Sequence, residues 1–132
     1  MEGILGVLLV CLAGFTKAVM DKLQFHWHKS IFALNPGKYT PLFWDPSVSW
    51  ANKYKPGTNY KEEKFKFSTT LLVFLTDAWH FFQMCTTFLL FVGILMIGYG
   101  ADSLFSLIFV GVIARVVYGV TFELFFKKWL GS

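Results

Sequence analysis

Between Phe67 and Tyr99 the chain has no lysine, arginine or glutamate, and Gly3–Thr16 and Ser103–Ala114 have no charged residue at all. Charged residues make up 15% of the 132, where a soluble domain has about 25%. This deficit, gathered into long apolar runs, argues against a soluble fold and for a protein of the bilayer. Cysteine is nearly absent. Cys11 and Cys85 each sit inside an apolar run, so they read as small buried hydrophobes and no disulfide framework is expected. HExxH, GxSxG and CxxC are all missing, as is a strict GxxxG. The first three absences remove the signatures of a zinc protease, a nucleophile-elbow hydrolase and a thiol oxidoreductase. The N-terminal MEGILGVLLVCLAGF lacks a positive flank and carries Glu2 instead, so a cleaved secretory signal is not expected. Val10 is also a poor residue before Cys11 for a lipoprotein cleavage box.

What is present is apolar and aromatic: 55% hydrophobic and 20% aromatic residues, with a mean hydropathy of +0.54. Three apolar segments stand out, over residues 3–29, 67–98 and 103–126, and each reaches the ~20 residues that a crossing needs. The expected fold is therefore an all-α integral membrane protein, a single membrane domain of three transmembrane helices. A connection over 30–66 joins the first two. Its four prolines, Pro36, Pro41, Pro46 and Pro56, with Gly37 and Gly57, forbid a long helix there. Its Trp and Tyr residues suit the membrane–water boundary.

The net charge of +4 reports orientation and not nucleic-acid binding. Most lysines lie between Lys38 and Lys66, and Lys127 and Lys128 follow the third segment. Three crossings put both groups on one side, expected to be cytoplasmic, with the N-terminus outside. An inner-membrane location in a bacterium is the matching expectation. The expected partners are membrane lipids, with a homo-oligomer or a larger membrane complex as the possible assembly.

Each apolar cylinder carries a polar stripe. At 100° per residue Lys17, Asp21, Gln24 and His28 fall within about 60° on the first segment. Asp77 and His80 are about 60° apart on the second, with Gln83 at the margin. On the third, Arg115 has Tyr118 beside it, and Glu123 about 80° away. A charge at mid-membrane costs roughly 2.5–3.5 kcal/mol on insertion scales, so the stripes are expected to face one another or a neighbouring protomer. Counting inward from Lys29, Lys66 and Lys127 puts Lys17, His80 and Arg115 at one depth, about 18–21 Å in.

Four readings of such a cluster differ in chemistry. A purely structural one pairs Lys17 with Asp21 and Arg115 with Asp77, and holds His80 by Gln24 or Tyr118. A metal reading takes Asp77 and His80 at i, i+3 with Asp21, His26 and His28 as ligands for Zn, Fe or Mn. On the wheel His26 points away from the stripe. An enzymatic reading has Lys17 and Arg115 hold an anion such as a lipid phosphate. His80, oriented by Asp77, is then the general base or acid, and Asp21 completes the catalytic set. Trp50, Asn52, Lys53, Gln24, Tyr118 and Glu123 would contact the substrate. The last reading is a proton or ion relay along the same groups.

The stretches KAVMDKLQFHWHKSIF, FWDPSVSWANKYK and FLTDAWHFFQ together resemble a family of small bacterial membrane proteins to which no function is attached. The resemblance covers roughly residues 14–83. It implies only that Lys17, Asp21, His26, Trp50, Asn52, Lys53, Asp77 and His80 belong together, joining the SWANKYK connection to the two stripes. The expected function is a membrane enzyme, metal-dependent or not, acting on a lipid or lipid-linked anion; the alternative is a relay or a structural subunit.

Overall fold

The computed structural model describes residues 1–130. It is all-helical, with no strand among the described residues, and three of its helices are long and apolar enough to cross a membrane. α1 (Glu2–Phe25) is followed by a 3-10 turn at Trp27–Lys29. The connection holds three single-turn helices, α2 (Ile31–Leu34), α3 (Pro41–Trp44) and α4 (Pro46–Ser49). α5 (Ala78–Tyr99) and α6 (Leu104–Leu124) complete the bundle, and a π-helical turn, Phe125–Trp129, extends α6.

Two boundaries differ from the sequence expectation. α1 ends at Phe25 instead of reaching Lys29. Ser30 offers its own side chain to the backbone, accepting from Ala33 N–H and donating to the Trp27 carbonyl at 2.6 Å, which favours a cap over another helical turn. The second apolar segment is not helical from Phe67. Phe67–Thr76 is a string of tight turns with a short 3-10 stretch, Val73–Leu75. Phe67 itself takes a left-handed φ of 66°. Glu63 holds this bend, accepting from the Phe67 N–H at 3.1 Å and from the Thr69 hydroxyl. The helix proper starts only after Asp77, a strong N-capping residue.

α1 is the centre of the bundle. It runs antiparallel to α5: Gly3 lies near Gly100, Gly6 near Gly93, Thr16 bonds Thr86 at 2.8 Å, and Gln24 meets Trp79. It runs in the same direction as α6, with Cys11 3.1 Å from the Thr121 hydroxyl and Phe15 edge-on to Phe125. Glycine sets the closeness of both contacts. A methyl group on Gly6 would lie 2.8 Å from the Gly93 carbonyl, and one on Gly14 2.7 Å from the Tyr118 carbonyl. Below these contacts, Ala18, Val19, Leu23, Phe32, Ala78 and Leu130 form the core that joins the helices to the connection. Lys22, only 3% exposed, is part of that packing, its ammonium 4.4 Å from the Phe126 ring centre. Of the three long helices α6 is the least covered, with only Ala114 and Thr121 buried.

Candidate functional site

Asp77 caps α5, its Oδ1 accepting the His80 N–H at 2.9 Å. Its Oδ2 lies 2.7 Å from Nδ1 of the same histidine. An ionised carboxylate only accepts hydrogen bonds, so Nδ1 carries a proton, and in the neutral imidazole Nε2 holds the lone pair. The Thr76 hydroxyl, which donates to the Val73 carbonyl at 2.7 Å, is 3.3 Å from Oδ2. The Asp77 side chain is 4% exposed and that of His80 30%. The carboxylate is thus fixed inside while the imidazole reaches the surface, and no described residue bonds its Nε2.

The connection braces this pair. Asn52 donates to the Thr76 carbonyl at 2.5 Å, and Lys64 donates to the Asn52 side-chain oxygen at 2.5 Å. Ser68 donates to the Lys53 carbonyl at 2.7 Å. From α1, Gln24 accepts the Trp79 indole N–H at 3.0 Å. The result is a cleft of about 230 Å³ lined by Gln24, Pro46, Ser49, Trp50 and Trp79 beside Asp77 and His80. His80 also lines a groove of about 480 Å³ along α5, walled mainly by Val73, Phe74, Met84, Phe88 and Phe91, with Gln83 and Thr87. The imidazole thus lines two adjoining clefts. A larger cavity of about 750 Å³, lined by Leu12, Phe15, Val19 and Trp44, opens on the opposite face of α1 and contains neither member of the pair.

The remaining expected residues divide. Lys17 and Asp21 form the anticipated ion pair, but one to two turns further along α1 and outside the cleft lining. Gln24 and Trp50 line the cleft, and the Trp50 indole donates to the Ser47 carbonyl at 3.1 Å. Asn52 and Lys53 brace the site without lining it. Glu123 is exposed and pairs with Lys127 at 2.5 Å.

Arg115 does not meet Asp77, nor does it share a level with His80. It follows Ala114, which packs with Val10 and Ile97, whereas His80 lies beside the α1 end that carries Gln24. The separation along α1 is about 21 Å at 1.5 Å per residue. His80 is not deep within a helix counted from Lys66, because α5 begins at Ala78 and His80 is in its first turn. Tyr118, next to Arg115, is likewise away from the cleft.

The five expected metal ligands do not assemble. Among the described residues no three His, Cys, Asp or Glu side chains are placed to hold one ion. His26 packs edge-on to Phe126, and His28 is exposed on the 3-10 turn. Sequence reasoning missed Pro46, Ser49 and Trp79 as cleft residues. Their only signal was adjacency to SWANKYK and to Asp77. The chain gives no match to any family model, curated protein or solved structure.

Proposed function

We propose that this chain is an integral membrane protein, with the 30–66 connection on the cytoplasmic side, in which His80 is a general base acting on a lipid or lipid-linked anion. The observation that carries the reading is the position of His80. Its imidazole, oriented by a buried carboxylate, lines both the cleft that holds Gln24, Ser49 and Trp50 and the groove that runs along α5. An amphipathic substrate fits this pair of clefts, with its acyl chain along Phe88 and Phe91 and its polar head against Gln24 and Trp50. The lysines of the connection favour an anionic leaflet. Nε2 takes a proton from water or a substrate hydroxyl while that oxygen bonds to the acyl carbon or phosphorus. The departing oxygen then takes the proton back from Nε2. No metal is assigned to this step.

A structural reading has one specific observation in its favour: Asp77 also caps α5. The two are separable, because His80→Ala keeps the backbone N–H that the cap uses. Purified protein is reconstituted with phosphatidylglycerol, phosphatidic acid and lysophospholipid, and products are followed by mass spectrometry. We expect turnover of one class, falling by about 10²-fold or more in His80→Ala at an unchanged unfolding midpoint. Equal product formation by both proteins, or none by either, would leave the pair as a helix cap.

A further inference from the structure

Arg115 is the chain's single arginine. It lies roughly midway between Leu104 and Trp129, the ends of the third apolar stretch, about 17 Å from the first of them. Its side chain is exposed, and no described carboxylate is within ion-pair distance. The guanidinium lies along its own helix instead. Cζ is 6.0 Å from the Tyr118 ring centre, and Nη1 is 3.0 Å from where a methyl on Gly119 would be. One turn before it, a methyl on Gly111 would meet nothing within 4 Å. Leu104, Ile108 and Val112 beside it are exposed. The face is apolar and shallow, with one cation at its centre, and hydrocarbon is a costly environment for that cation.

We propose that this face of α6 docks a transmembrane helix of another polypeptide that carries an aspartate or glutamate opposite Arg115. The inference rests on the membrane insertion proposed above and is independent of the His80 chemistry. Charge complementarity selects the occupant. A second copy of this chain does not supply the anion, because none of the carboxylates among its described residues lies at that level. Glu2 and Asp102 are at the turn-side end, Asp45, Glu62 and Glu63 are in the connection, Asp77 caps α5 at the loop-side end, and Asp21 and Glu123 lie toward that same end, paired with Lys17 and Lys127. Two copies meeting through this face would also set Arg115 against Arg115. A partner with its own mid-membrane carboxylate removes both problems, and the open space at Gly111 lets its backbone come close.

The test uses the whole chain, donor-labelled at its N-terminus, in phosphatidylcholine vesicles. The probe is an acceptor-labelled Leu/Ala transmembrane peptide with Asp or Leu at its centre. Energy transfer should show the Asp peptide binding about tenfold more tightly than the Leu peptide. Arg115→Lys should keep that preference, and Arg115→Leu, which makes the span easier to insert, should abolish it. Flotation with the vesicles after an alkaline wash reads insertion separately, so failed insertion and failed pairing are distinguishable. Equal binding of the two peptides, or an Asp preference that survives Arg115→Leu, would overturn the proposal. So would transfer between copies lost in Arg115→Leu, which would assign the face to self-association. A preference erased by adding phosphatidylglycerol would assign Arg115 to lipid phosphate and also overturn it.

Discussion

Asp77 divides its two carboxylate oxygens between two tasks, and the division makes them separable by substitution. Oδ1 caps α5 and Oδ2 orients His80. Asparagine caps a helix about as well as aspartate, but its amide presents a donor where Nδ1–H needs an acceptor. Asp77→Asn is therefore expected to keep the unfolding midpoint while lowering turnover about as far as His80→Ala, and parallel thermal and product assays check this. Asp77→Ala removes the cap as well and should cost about 0.5–2 kcal/mol of stability. Glu63 works at the same scale in the connection. Hydrogen bonds from the Thr69 hydroxyl and then the Phe67 N–H hold its carboxyl below its ordinary value of 4.5. A carboxylate favoured in the folded chain stabilises it above that ordinary value, and the contribution fades as pH falls through the lowered one. Hydrogen exchange at the Phe67 and Thr69 amides should accelerate, beyond its intrinsic pH dependence, as pH falls below about 4.5. Glu63→Gln should flatten that change.

Among the elements, α1 depends on close backbone approach. The methyl added by Gly14→Ala would meet the Tyr118 carbonyl at 2.7 Å, and backbone cannot swing aside as a side chain can. Overpacking of this kind costs about 1–3 kcal/mol. Gly3→Ala, with nothing within 4 Å, should leave thermal unfolding in detergent unchanged. The existence of the three long helices was legible in the sequence because apolar runs of that length have few other folds. The start of α5 was not, because Phe67–Leu75 is as apolar as the helix that follows. Apolar character alone does not separate a span from turns lying at an interface. The one local signal is Asp77 itself, a preferred N-cap residue that fits a mid-helix polar stripe equally well. The expected convergence of His80 and Arg115 depends on the stripe, and the observed cap removes it. The Lys17–Asp21 pair was legible because i, i+4 spacing is a property of one helix. Bonds from the connection, such as Asn52 to Thr76, depend on how an irregular chain returns to the bundle, and no periodicity encodes that.

For the molecule as a whole, the length of α5 is what separates the connection from the short turn between α5 and α6. Asp102 lies at the turn-side end, whereas Ser47, Asn52 and His80 lie at the other. The proposed base at one membrane boundary, and the proposed position of Arg115 midway between boundaries, both rest on that arrangement. Its most direct test is thiol labelling of a chain whose Cys11 and Cys85 are replaced by alanine and which carries either Ser47→Cys or Asp102→Cys. In sealed vesicles an impermeant reagent should modify one of the two positions from outside and the other only after the membrane is opened. Modification of both from the same side would contradict the account.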